Sequence, residues 1–315
     1  NVPLTLWCAR QLARTAGLDE DAARWLALTG GALVAVSYWQ THLSRFGYRA
    51  IVLPPLLALT VGALLRGLRH PPRQAWGWIV LSGAGAGLSA YTYSSVRVLP
   101  VLLLVAWIWV LVADRRRWRV RLAQFALFGL SAALLFGPLG LFFLRHPEAF
   151  SVRLQQVSIF SPAVNKGDLW GTLWRTVRMA FGMLSASGDM NPLYNLPGKP
   201  VFDPLVAPFF YLGLAICAWR AVAPRGDAPP LARLPYGLLL AWLPIMMVPN
   251  VLSASGVPHN LRAMALVPAL FIIVSFGLVV PLRWAAALAA QRRRPASALA
   301  AALLVLLVAY EGGRT

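Results

Sequence analysis

Arg115-Arg116-Arg117-Trp118-Arg119-Val120-Arg121 runs straight into Leu122-Ala123-Gln124-Phe125-Ala126-Leu127-Phe128-Gly129-Leu130-Ser131-Ala132-Ala133-Leu134-Leu135-Phe136-Gly137-Pro138-Leu139-Gly140-Leu141-Phe142-Phe143-Leu144. The second stretch carries no charged side chain, and as a helix it is long enough to cross the ~30 Å hydrocarbon core of a bilayer. A cationic block ahead of such a run is the signature of a transmembrane helix held with its basic end in the cytoplasm.

The pattern repeats on both sides. Windows of about 19 residues place spans near Ala22–Gln40, Ala50–Leu65, Trp76–Tyr93, Val98–Ala113, Leu122–Leu144, Pro204–Val222, Leu234–Ser253, Asn260–Val280 and Ala296–Tyr310. With 59% hydrophobic residues and a mean hydropathy of +0.65, the expected architecture is all-α: a polytopic transmembrane bundle of about nine spans. The expected organisation is one transmembrane domain over residues 1–315, interrupted by a long external segment at 145–203. The first residues hold no signal-peptide core. The start at Asn1 and the stop at Glu311-Gly312-Gly313-Arg314-Thr315 read as a fragment truncated at the N-terminus and near the C-terminal span.

Arginine placement sets the orientation. With the N-terminus on the cytoplasmic side, eighteen of the 29 basic residues fall in inside segments, five in short outside segments and six in the long loop. The long loop is not counted by the positive-inside rule. This distribution accounts for most of the +19 charge, so a nucleic-acid partner is not indicated; the basic blocks serve topology and contact with anionic lipid. Cys8 and Cys217 form neither a disulfide framework nor a metal spacing.

Some motifs reduce to packing. Asp19-Glu20-Asp21 formally matches a D-x-D metal motif, yet it precedes a helix and suits capping of its positive end. Gly83-Ala84-Gly85-Ala86-Gly87 contains G-x-x-x-G inside a span and predicts close helix approach. Within the long loop, Trp170, Trp174, Val177 and Phe181 recur at helical spacing opposite Arg175 and Arg178, which predicts an amphipathic helix at the membrane interface or packed on the bundle.

Chemistry is sought where ionisable groups meet the membrane rim. His42, Arg45 and Arg49 fall at one outer junction; Tyr91, Tyr93, Ser94, Ser95 and Arg97 at the next; His259, Asn260 and Arg262 at a third. Guanidinium forks bind phosphate bidentately, so three such hairpins predict a site for a lipid phosphate at headgroup depth. Asp189, with Asn191 and Asn195 in a Gly/Asn/Pro-rich loop, is the carboxylate of most interest, although an Asx turn also explains it. No G-x-S-x-G, H-E-x-x-H or P-loop occurs.

Thr41-His42-Leu43-Ser44-Arg45-Phe46-Gly47-Tyr48-Arg49-Ala50 and Gly87-Leu88-Ser89-Ala90-Tyr91-Thr92-Tyr93-Ser94-Ser95-Val96-Arg97-Val98-Leu99-Pro100 resemble bacterial members of glycosyltransferase family 39. The resemblance continues through His146-Pro147-Glu148-Ala149-Phe150, Gln155-Gln156-Val157-Ser158-Ile159-Phe160, Gly188-Asp189-Met190-Asn191-Pro192, Asn195-Leu196-Pro197-Gly198 and Pro258-His259-Asn260-Leu261-Arg262-Ala263. It implies a type C glycosyltransferase fold in a bacterial-type plasma membrane, moving a sugar from a polyprenyl-phosphate donor to a protein or lipid acceptor at the outer face. No cofactor is implied beyond that donor, and no metal ligands are assigned. The family's catalytic carboxylate lies in a first external loop that has no counterpart here, so the general base is expected to be missing from the fragment. The resemblance casts Arg97 and Arg262, then Arg49 and Arg45, as donor-phosphate ligands, with His42, Tyr91, Tyr93, His259, Asn191 and Asn195 lining the pocket.

A transporter or flippase for a phosphorylated lipid or anionic solute is the alternative. That class calls for charged or broken-helix sites near the midplane and for internal repeats. The sequence shows neither, although Pro54-Pro55, Pro138 and Pro244 interrupt spans.

Overall fold

The structure is a computed structural model that describes residues 1–149, 158–223 and 229–291, with a few isolated positions beyond. Two-thirds of the span expected at Ala296–Tyr310 lies outside the described residues, as do Arg225, Arg292, Arg293, Arg294, Phe150 and the Gln155-Gln156-Val157 motif. Among the described residues the fold is helical and contains no strand. Its main helices are α1 (Val2–Thr15), α2 (Glu20–Ala35), α3 (Tyr38–Arg45), α4 (Leu53–Arg69), α5 (Pro72–Ser89), α6 (Leu99–Ala113), α7 (Trp118–Arg145), α8 (Pro162–Asn165), α9 (Leu169–Gly182), α10 (Ala207–Val222), α11 (Leu234–Val251) and α12 (Val267–Gln291).

Among the described residues, five helical segments are long and apolar enough to cross a membrane: Arg49–Arg69, Ser94–Ala113, Arg115–Arg145, Leu234–Val251 and Met264–Ala286. Their hydropathies are similar, but their positions are not. The first half of α12, from Val267 to Val279, is buried on every face, which makes it the central helix of the bundle. By contrast, α7 exposes Leu130, Leu134, Leu141 and Leu144 along its length and lies at the periphery. A helix apolar all round suits either a protein core or a lipid-facing position, so periodicity could not separate the two.

Two expectations need correction. The stretch Ala22–Gln40 is not one helix: α2 ends at Ala35, and α3 starts at Tyr38 after Ser37 in an extended conformation. The Asn1 end also does not share a side with Arg10 and Arg14. Residues 2–15 form α1, which runs antiparallel to α2, so Asn1 Nδ2 donates to Gln40 Oε1 at 2.6 Å while Arg14 reaches Glu20 at the other end. Thr, Gln and Arg side chains lower the hydropathy of α1, and its apolar face (Cys8, Ala9, Leu12, Ala13) is buried against its neighbours.

The small-residue reading of α5 holds in detail. A Cβ at Gly83 would collide with the Phe128 carbonyl oxygen of α7, and one at Gly87 would lie 2.5 Å from that of Ala132. One face of α5 therefore lies against α7 backbone to backbone, tied by Ser131 Oγ donating to Val80 O at 2.8 Å. The opposite face meets α4, where Ser82 Oγ donates to Thr60 O at 2.7 Å. Gly213 of α10 and Gly277 of α12 make a second close crossing, each set against the backbone of the other helix.

The arginine-rich end is laced by ion pairs. Asp19 caps α2 by accepting from the Ala22 amide at 2.8 Å and also pairs with Arg283 at 2.8 Å, so Asp19-Glu20-Asp21 does serve helix capping. Arg14 and Arg10 hold the Glu20 carboxyl down to about 2; such exposed pairs contribute little to stability. The pair Arg121–Asp114 differs, because both residues are buried. Its guanidinium also donates to Gln124 Oε1 at 2.9 Å and to Leu68 O at 3.1 Å, joining the α6–α7 turn to the end of α4. Asp114→Ala leaves that guanidinium buried without its counter-charge and is expected to cost about 3–5 kcal/mol, read as a fall in thermal unfolding temperature in detergent. Asp114→Ala combined with Arg121→Met is expected to recover most of the loss; if the double variant is no better, the pair is not what holds this corner.

Candidate functional site

The far end of the bundle gathers the three hairpins and the long loop into one rim. Tyr48 packs on Tyr194 with ring centroids 5.5 Å apart, Lys199 Nζ sits 4.2 Å over the Tyr38 ring, and Gln40 Nε2 contacts Met264 Sδ at 3.7 Å. Arg45, Arg49, Arg97 and Arg262 all belong to this end, but they do not form one cluster.

The first group lines a cavity of about 740 Å³ between α5, α6 and α7. Arg49, Arg97, Tyr91, Tyr93 and Ser94 supply its polar wall, and Leu103, Leu104, Trp107, Phe125, Phe128 and Phe136 supply the apolar length. Arg49 and Arg97 stand on short 3₁₀ turns that lead directly into α4 and α6, at Arg49–Val52 and Ser94–Val98. This geometry puts cations on the turns at one end of the cavity and hydrocarbon-like side chains along the helices that follow. Tyr91 departs from its expected role. Its hydroxyl donates to Leu135 O at 2.9 Å and accepts from the Leu139 amide at 3.3 Å, so it is inserted into the ladder of α7 beside Pro138. Proline lacks an amide proton and disrupts the turn before it, and the phenol occupies the opened step. Its ring still lines the cavity.

The second group ties two loops together. Asp189 is buried; Oδ2 accepts from the Asn260 amide at 3.0 Å and Oδ1 from the Asn191 amide at 2.9 Å. The second bond is the Asx turn read from the sequence, and the first joins the long loop to the segment before α12. Asn195 Nδ2 donates to Asp189 O at 2.9 Å and Lys199 O at 2.7 Å, and Asn191 Oδ1 accepts from the Leu193 amide at 3.0 Å. His259 stacks on Tyr194 at 4.7 Å, while Arg262 Nη1 donates to Ser255 O at 2.7 Å. Arg262, His259, Asp189, Asn191 and Asn195 are thus absent from the cavity wall and act as a loop clamp. Burial pushes the Asp189 carboxyl up against the pull of its two amide donors.

Arg45 remains exposed at the end of α3. His42 accepts or donates at 3.2 Å with Tyr38 Oη, stacks on Tyr38 and meets Phe46 edge-on, the second of six rings in a row that passes through Tyr48 and Tyr194 to His259. The row was legible only in part: Phe46 and Tyr48 flank the arginines in the sequence, but Tyr38 and Tyr194 carry no motif. The apolar wall of the cavity was not legible at all, since Trp107, Phe125 and Phe128 look like any span residues. The loop helix α9 forms as expected, and it buries Thr172, Thr176 and Ala180 while exposing Trp170 and Trp174. Among the described residues no group of three or more His, Cys, Asp or Glu side chains is placed to hold a metal.

No protein-family model matches this sequence, and no curated protein matches it significantly. The resemblance drawn from the motifs therefore rests on those motifs.

Burial, then the nearby Arg262, pushes His259 from 6.5 down to about 4, so at neutral pH its 3.8 Å approach to Asp189 is a contact between a neutral ring and a carboxyl group. The imidazole is neutral in the fold and titrates near 6.5 when unfolded. Its contribution to stability is complete above that value and drains as pH falls toward 4. The raised Asp189 carboxyl works in the opposite sense, because its protonation on acidification relieves a burial cost. Wild type is expected to lose up to about 3 kcal/mol across this window from His259, offset in part by Asp189. His259→Gln should flatten the pH dependence of thermal unfolding; parallel curves for the two proteins would remove His259 from the account.

Proposed function

We propose that this chain is the membrane-embedded donor-binding part of a polyprenyl-phosphate-dependent glycosyltransferase of the type C kind, with about nine spans and the rim facing outward. The observation that carries the reading is the cavity between α5, α6 and α7, lined by Arg49 and Arg97 together with an aromatic and aliphatic wall. An isoprenoid phosphate has the same division, one anionic head on a long apolar tail. Guanidinium donors suit the head, where charge grows as the sugar departs; the wall suits the tail. Trp170 and Trp174, exposed on α9, support placement of the rim at a lipid interface.

This reading narrows the residue roles. Arg97 and Arg49 hold the donor phosphate, Tyr93 and Ser94 line its surroundings, and Arg262, His259 and Asp189 fix the loop that covers the rim. Among the described residues the cavity wall holds no carboxylate, and the cavity is assigned donor binding and leaving-group stabilisation.

Binding of a polyprenyl phosphate against the matching polyprenol, followed by intrinsic tryptophan fluorescence in detergent, tests the assignment. Wild type is expected to prefer the phosphate, and Arg97→Ala or Arg49→Ala to weaken it by about 10- to 100-fold, the worth of one or two charge-assisted contacts. Leu104→Trp, which fills the cavity from its exposed side, should weaken both ligands. Equal binding of phosphate and alcohol by wild type would end the proposal. Flux of phosphorylated lipid across vesicles without sugar transfer would move the same cavity to a flippase.

A further inference from the structure

A second cationic centre lies at the opposite end of the bundle, remote from the rim. Arg10 and Arg14 on the last turns of α1 face Arg66 and Arg69 on the last turn of α4, and Arg14, Arg66 and Glu20 all bear on Arg69 electrostatically. One carboxylate serves the four: Glu20 accepts from both Arg10 and Arg14. The excess of three positive charges is not left to swing in water. Arg69 Nη2 donates to the buried Gln11 Oε1, and the Arg66 guanidinium lies 4.2 Å over the Trp78 ring, which is itself 5.9 Å from Trp7.

Nε of Arg66 and Nε of Arg69 are both buried, and neither has a hydrogen-bond partner. An unmet buried donor on a charged group is costly, and here two of them stand beside two further guanidiniums. Cations at helix C-termini complement the helix dipole. That explains one arginine per helix end, but not the immobilised pair or its orphaned donors. An anion with several acceptor oxygens meets all of these demands at once, and phosphate is the oxyanion whose geometry matches paired guanidinium forks.

We propose that the ends of α1 and α4 form a binding site for a phosphate ester, held by Arg66 and Arg69 with Arg14 beside them and with the Trp78 ring as one wall. The ester is either the headgroup of an anionic phospholipid or a soluble phosphate compound, and the site is independent of the rim cavity.

Lipid retention separates these sources. The intact chain is reconstituted in nanodiscs of phosphatidylcholine with phosphatidylglycerol, extracted into mild detergent and weighed by native mass spectrometry; inorganic phosphate and pyrophosphate are titrated separately by calorimetry. Wild type is expected to retain phosphatidylglycerol at least tenfold over phosphatidylcholine, and Arg66→Gln/Arg69→Gln to abolish that preference. Arg115→Gln/Arg116→Gln/Arg117→Gln, which removes more charge from the exposed α6–α7 turn, should leave it intact. Phosphate or pyrophosphate binding that is lost in Arg66→Gln/Arg69→Gln, without lipid retention, assigns the site to a soluble ligand. Should the double variant not fold, Arg69→Lys keeps the charge and gives up the fork, and it should weaken retention severalfold. Retention and anion binding that do not distinguish wild type from either variant, or equal loss in the triple variant, would overturn the site.

Discussion

Where α5 meets α7 there is no room for a side chain, and the candidate site depends on that contact. Gly83 and Gly87 bring the two backbones together, while Ser82 and Thr60 fasten the other face of α5 to α4. In an apolar solvent hydrophobicity does not drive helices together, so packing of this kind supplies the association. Held chiefly against α5, α7 meets α6 through Trp107 on Phe125 and Phe128, and the cavity lies in the wedge beside that contact. Side chains at 83 and 87 would move the wall that carries Phe125, Phe128 and Phe136.

The two ends of the bundle use arginine in opposite ways. At the α1–α4 end guanidiniums are paired, stacked or buried, as with Arg121 on Asp114 and Arg283 on Asp19. At the rim, Arg49 and Arg97 face a cavity with no carboxylate among its lining residues. Guanidiniums that meet carboxylates hold helix ends together, as Arg121 and Arg283 do; those that line the cavity stand beside an apolar wall.

Helix content and most helix positions were legible because apolar runs bounded by arginine and proline are strong local signals. Legibility failed where a helix lacks that signal. The segment forming α1 gives no span signal because Gln11, Arg10 and Arg14 dilute its hydropathy, and the break at Ser37 is invisible in a window average across Ala22–Gln40. Of the site, the hairpins bearing Arg49 and Arg97 were found because arginine at that position is anomalous. Asp189 and His259 looked equally anomalous in sequence, but only coordinates reveal that their polar atoms and rings are spent on Asn260, Asn191 and Tyr194. Motif chemistry identifies unusual residues; partners decide whether they are structural.

The phenol of Tyr91 stitches the hairpin bearing Arg97 to α7 beside Pro138. Withdrawing it would strand a carbonyl and an amide within the peripheral helix. Hairpin and helix are therefore yoked: one oxygen atom serves both, and neither leaves its place there without breaking the other's bonds.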